Sequence, residues 1–198
     1  MKKLTHEEIL LRQATVCSKE RVPISALLNN IRSLYNVGSM FRTADGAGLS
    51  RLYLAGITGT PPAQGLLKTS LGAEKEVPWE YTTSASEKIR ELRRRHIQIL
   101  MLEQTHGSIS YDTVPVRFPC CLVVGNEITG VDEDIVSLAD YALEIPMSGT
   151  KNSLNVSVAF GIVAYELLRK HKEHNGQNFV IPAAPTAARS TSARMTTA

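Results

Sequence analysis

A chain of 198 residues, 43% of them hydrophobic and 21% charged, carries enough apolar surface for one packed domain and excludes a disordered polyelectrolyte. The net charge of +3 permits a nucleic-acid partner without demanding one. No stretch approaches 18 uncharged apolar residues, and the acidic opening Met-Lys-Lys-Leu-Thr-His-Glu-Glu lacks the apolar core of a secretory signal, so neither the membrane nor secretion is expected. In chain order, Thr5 followed by Glu8 reads as a capping box that opens an amphipathic helix over residues 6–19, within an N-terminal extension spanning 1–22. After Pro23 the period changes. Short apolar runs at Ile24–Leu28, Leu52–Ala55, Ile97–Leu102, Cys120–Val124 and Ala142–Ile145 alternate with helical patterns near 37–47, 86–95, 131–138 and 153–172. That alternation predicts an α/β domain over 23–175, built on a mostly parallel sheet with helices on both faces. Residues 176–198, ending in an Ala, Thr, Ser and Pro-rich stretch, read as a disordered tail.

Three cysteines make an odd count. Cys120 and Cys121 sit inside an apolar run and read as small core residues, and Cys17 has no partner at metal-site spacing, which fits a reducing, cytoplasmic setting. The histidines His6, His96, His106, His171 and His174 form no ligand cluster, so no metal is expected, and the last two read as solvated. Gly46-Ala-Gly48-Leu-Ser-Arg51 lacks the third glycine of a dinucleotide loop, and Gly149-Thr-Lys151-Asn-Ser153 lacks the spacing of a Walker loop.

Ligands of open parallel sheets sit beyond the carboxyl ends of the strands. Three polar segments fall there: Asn29 to Arg42, Gly125 to Gly130, and Met147 to Asn155. In the first, Asn36 can cap a helix, Gly38 permits close backbone approach, and Arg42 lies one turn beyond Gly38, where it suggests an anion or phosphate. In the second, a buried strand runs into Gly125-Asn-Glu127, which puts a carboxylate at a strand end, as a site group or as a residue fixing the turn. In the third, Pro146 ends a strand, Gly149 relaxes the turn, and Ser153 stands where it can cap the last helix, with Asn152, Asn155 and Ser157 crowding polar groups around its start.

Taken in order, these segments resemble the three motifs of the SpoU or TrmH branch of the SPOUT RNA methyltransferases. Asn36, Gly38 and Arg42 match the first; Gly125, Glu127 and Gly130 the second; Pro146, Met147 and Ser153 to Ala159 the third. The resemblance covers roughly residues 24–170 and implies a C-terminal trefoil knot, which periodicity alone does not. It further implies S-adenosylmethionine held by Gly125, Ile145, Met147, Leu154 and Ser153, and methyl transfer to a ribose 2′-hydroxyl in structured RNA, transfer or ribosomal. Arg42 is then expected as a phosphate clamp and stabiliser of the developing alkoxide, because a guanidinium is a poor base. Asn36, Glu127, Ser153 and Asn155 complete the expected pocket. The resemblance also implies a homodimer, for which the last helix, bearing Phe160 and Tyr165, offers a face. Arg90, Arg93, Arg94 and Arg95, with Lys170, Lys172, Lys2 and Lys3, are candidate RNA contacts. The alternatives are a knotted RNA-binding factor without catalysis and a base-methylating relative.

Overall fold

The computed structural model describes residues 3–16 and 20–177. It divides into two units, of which the smaller contributes one described helix, α1 (His6–Val16). The capping box is formed: Glu8 N donates to Thr5 Oγ1 at 3.2 Å, and Thr5 N donates to Glu8 Oε2 at 2.7 Å. Cys17, Lys2 and the tail from residue 178 lie outside the described residues.

The larger unit runs β1 (Val22–Asn29), α2 (Leu34–Gly46), β2 (Leu49–Ala55), α3 (Gln64–Ser70), α4 (Ala73–Glu76), β3 (Trp79–Thr82), α5 (Ala85–Arg94), β4 (Gln98–Leu102), β5 (Ile109–Ser110), β6 (Cys120–Val124), α6 (Glu133–Val136), β7 (Tyr141–Glu144) and α7 (Val156–His174). The strands form one sheet in the order β3-β2-β1-β6-β4-β7-β5, and every ladder is parallel. Continuous apolar runs are what a sheet covered on both faces requires. Ile24, Ala26 and Leu28 of β1 pack with Phe41, Leu66 and Phe160 from α2, α3 and α7, while Leu27 faces Ile89, Leu92 and Ile135 from α5 and α6. The period of two along a strand thus feeds two separate cores. Cys120 and Cys121 follow the same alternation, one into each core. Burial pushes the Cys121 thiol up to about 12 and the Cys120 thiol up as well, which makes both inert apolar groups at neutral pH.

The five strands read from the sequence are present, and β3 and β5 join them at the two edges. Trp79-Glu-Tyr-Thr82 is half exposed and Ile109-Ser110 is a single short pairing, so neither leaves an apolar run to read. Two helix starts differ from expectation. Ser33, not Asn36, caps α2, its hydroxyl accepting Asn36 N at 3.3 Å; Asn155, not Ser153, caps α7, its Oδ1 accepting Ser157 N at 2.9 Å. In both places a second capping residue type stood a few positions away, and the turn geometry chose between them. His171 also departs from expectation: it is partly buried against Phe118, ring centroids 4.8 Å apart, and burial holds its pKa below the ordinary histidine value.

Gly38 sets the spacing of α2 and α3. A Cβ there would collide with Thr69 Oγ1 and the Leu66 carbonyl, so the two helices touch backbone to backbone. Gly38→Ala is expected to cost about 1–3 kcal/mol by overpacking. Denaturant unfolding reads this as a lower midpoint at constant slope, and an unchanged midpoint would show that α3 yields freely.

Candidate active site

Because all the ladders are parallel, the carboxyl ends of β1, β4, β6 and β7 open on one edge of the sheet. A cavity of about 370 Å³ lies there, within the usual size for a small-molecule cleft. Its walls are the residues that follow β4, β6 and β7, closed by the approach to α7. All of the residues expected to hold a cofactor line it: Gly125, Ile145, Met147, Ser153 and Leu154. The mixture suits an amphipathic ligand. Ile145, Met147 and Leu154 offer apolar surface, and the backbone from 145 to 155 follows no regular ladder.

The β6 end is a closed loop. Asn126 N donates to the Gly130 carbonyl at 2.9 Å, and Gly130 N returns a bond to the Asn126 carbonyl at 3.0 Å. A Cβ on Gly125 would run into the peptide between Gly130 and Val131, so only glycine closes this loop. The Asn126 amide then donates to the Asn30 carbonyl at 2.7 Å and ties the loop to the end of β1.

Glu127 reaches out of this loop to the start of α2. Its carboxylate accepts Arg32 N at 3.0 Å, Ser33 N at 3.1 Å and the Asn36 amide at 2.9 Å. Partial burial pushes its pKa up, but those donors, Arg32 N and the Asn36 amide foremost, outweigh burial and hold it below the ordinary glutamate value. An acceptor so occupied and so acidic anchors a turn; it is a weak proton acceptor. Asn36 Oδ1 in turn accepts the Asn155 side-chain amide at 3.2 Å, so one chain of side chains joins all three polar segments. Asn155 lines the cavity with Glu127, whereas Asn36 stands behind them. Ser153 lines the cavity, and among the described residues its hydroxyl reaches only the Asn152 side chain, at 3.4 Å.

Arg42 differs from its expected place. It is exposed on α2, outside the cavity lining, and its guanidinium has no partner among the described residues. Gly38, expected to permit close backbone approach, gives it to α3. The arginine cluster is also displaced from the site. α5 leads into the amino end of β4, so Arg93, Arg94 and Arg95 stand at the opposite edge of the sheet. There Arg93 pairs with the Leu138 carbonyl and Asp140, and Arg95 with Glu91. Phe160 is fully buried and belongs to the core.

Glu103 and Gln104 are the residues missed. Both line the cavity; Glu103 Oε2 accepts Val131 N at 2.9 Å, and Gln104 Nε2 donates to the Asn152 carbonyl at 2.8 Å. They bridge the second and third segments. The strand-end rule applied to Ile97–Leu102 would have named them as the next two residues.

The family model of the SpoU rRNA methylases matches residues 23–165. A tRNA (guanosine(18)-2′-O)-methyltransferase of Aquifex aeolicus is 33% identical over 87% of this chain and 82% of its own length. The chain spans about three-fifths of several longer TrmH-family relatives that it also matches. Among solved structures, the A. aeolicus TrmH/SpoU tRNA modifying enzyme superposes with a TM-score of 0.72 at 32% identity, covering 86% of this chain and 84% of that one. The SpoU methyltransferase AviRb of Streptomyces viridochromogenes, solved in complex with AdoMet, gives 0.71 at 26% identity, covering 78% and 63%.

The Glu127 bonds carry a pH signature. With its folded pKa depressed, the stabilisation is complete above the ordinary glutamate value near 4.5 and is lost as pH falls through the lower folded value. Glu127→Gln is expected to lower stability at neutral pH and to flatten the acid limb of a denaturant-midpoint profile. An acid limb of unchanged steepness in the variant would disprove this account.

Proposed function

Because this chain belongs to the SpoU rRNA methylase family, we propose that the cavity is the S-adenosylmethionine pocket of an RNA 2′-O-ribose methyltransferase. The observation that carries the reading is the convergence of the second and third motifs on one cavity at the carboxyl edge, joined through Glu127, Asn36 and Asn155 to the first. S-adenosylmethionine, when bound, supplies an electrophilic methyl group to the ribose 2′-oxygen. The chain supplies the rest. Gly125, Ile145, Met147, Leu154 and Ser153 hold the donor by backbone and apolar contact. Asn155 and Ser153 orient the hydroxyl. Glu127 and Asn36 act as positioning residues that keep Asn155 in place. Arg42, always protonated, clamps a phosphate and stabilises negative charge on the attacking oxygen, while the hydroxyl proton passes to a phosphate oxygen of the RNA itself.

Arg42 acts in this scheme across a homodimer interface, in the cytoplasm. Its exposed position on α2 supports this. Beside it α7 turns Val158 and Tyr165 to solvent, 52% and 45% exposed, with Ile162 between them at helical spacing. A Cβ on Gly46 would sit 2.9 Å from Tyr165 Oη, so α2 and α7 present one continuous face. The trefoil knot is part of the same reading. It is supported by the path of the chain after β7, which lies between β4 and β5, back to α7, which packs on α2, β1 and β6.

Incubation with labelled S-adenosylmethionine and separated transfer and ribosomal RNA, followed by nucleoside analysis, is expected to place label on a ribose of one class. Label on a base would make the chain a base methylase, and absence of label would leave an RNA-binding factor. Arg42→Ala should bind S-adenosylmethionine normally and lose methyl transfer about a hundredfold or more. Mixing Arg42→Ala with Met147→Trp, which fills the cavity, should restore activity if Arg42 works across the interface; no restoration would place it within one subunit.

Substituting Val158 by aspartate should dissociate the dimer, as read by light scattering, whereas an unaffected dimer would place the interface elsewhere.

A further inference from the structure

Beside Glu127, which lines the cavity, residues 32–36 carry two exposed side chains that the scheme above does not use. Arg32 is pinned through its backbone, its N–H on the carboxylate of Glu127 at 3.0 Å, yet its side chain is exposed and its guanidinium has no partner among the described residues. Most arginines elsewhere in the domain are engaged: Arg21 with the Leu49 and Glu76 carbonyls, Arg51 with Glu80, Arg93 with Asp140, Arg169 with Glu166. Tyr35, three residues on, is 54% exposed. The backbone beneath its ring is fixed, because its carbonyl accepts the Thr69 hydroxyl at 3.0 Å and its neighbour Asn36 is bonded to both Glu127 and Asn155. Along α2, Tyr35 and Arg42 are seven residues apart, hence on one face and about 10.5 Å apart along the axis. An exposed aromatic ring on an anchored backbone, three residues from an exposed guanidinium, is a surface that can hold an unstacked nucleotide, since a phosphate matches the planar fork and any base matches the ring.

We propose that Arg32 and Tyr35 hold the substrate RNA at the mouth of the cavity, Arg32 on a phosphate beside the target ribose and Tyr35 stacked on a flanking base. This rests on the RNA methyltransferase reading. A cleft recessed between strand ends admits a 2′-hydroxyl only if the nucleotide leaves its stack, and Tyr35 replaces the stacking lost. Both residues are specificity and binding groups; neither touches the methyl donor.

The test uses the full chain, with a pool of unmodified tRNA transcripts and ribosomal RNA fragments as probes, over about 50 to 200 mM salt. Arg32→Ala is expected to weaken RNA binding about tenfold and to lower the slope of log affinity against log salt by about one, with S-adenosylmethionine affinity unchanged. Arg32→Lys should recover the slope but not the full affinity. Tyr35→Ala should weaken RNA binding about five- to a hundredfold without changing the slope, and Tyr35→Phe should match the wild type. Unaltered RNA affinity in the alanine variants overturns the proposal. So does weakening of Arg32→Ala at an unchanged salt slope, which marks a merely structural role, or a changed oligomeric state in Tyr35→Ala, which assigns the ring to the subunit interface. A wild type that labels no RNA defeats the activity reading, while the binding measurements still decide this pair.

Discussion

A carboxylate at the end of a buried strand attracts the donors that stand beside it, and in this chain they come from a segment far away in sequence. Glu127 spends its oxygens on the N–H groups of Arg32 and Ser33 and on the amide of Asn36. The negative charge meets the free N–H groups and positive dipole end of α2, so each feature answers a deficit in the other. Segments separated by more than ninety residues become a single rigid corner. Everything that depends on the position of Asn36, and through it Asn155, depends on that one charge.

The corner exists because the sheet is parallel throughout. A parallel ladder forces each connection to return to the starting edge, which concentrates every strand's exit on one side and every entry on the other. Exits become site and entries become scaffold. The same rule separates the arginines by place: Arg93, at the end of α5, arrives at the entry edge and pairs there with Asp140, whereas Arg32 stands at the exit edge with no partner for its guanidinium among the described residues. The cost of ordering such long connections is met by the two cores, where side chains such as Phe41 and Phe160 are fully buried, each worth about 3–5 kcal/mol against alanine.

The central strands were legible because burial on both faces writes an uninterrupted apolar run, as in Ile24–Leu28 and Cys120–Val124. The edge strands were not, since Trp79–Thr82 is half exposed and pairs on one side. Strand-end logic found Gly125 to Gly130 and Met147 to Asn155, and the residues among them expected to hold a cofactor line the cavity. Glu103 and Gln104 escaped because a Glu-Gln pair after a strand looks like any solvated turn. The caps were misplaced because Ser33 and Asn36, or Ser153 and Asn155, are equally good capping types; the turn geometry decides which one serves, and it leaves the Asn36 side chain to bond Glu127 and Asn155. Arg42 was legible as a candidate but its surroundings were not, since helix periodicity gives a face and not what the face meets.

The stretch of cavity wall from 145 to 155 follows no regular ladder, and this bears on what kind of change the site can absorb. Where the path of the chain shapes the wall, Ile145 or Met147 can be exchanged for another apolar residue while the apolar surface persists. Gly125 has no such latitude, because its path exists only without a side chain. Divergence is therefore cheap along the walls and nearly forbidden at the hinge points, and the fold can drift far in composition while its recognition chemistry stays fixed in the course of the main chain.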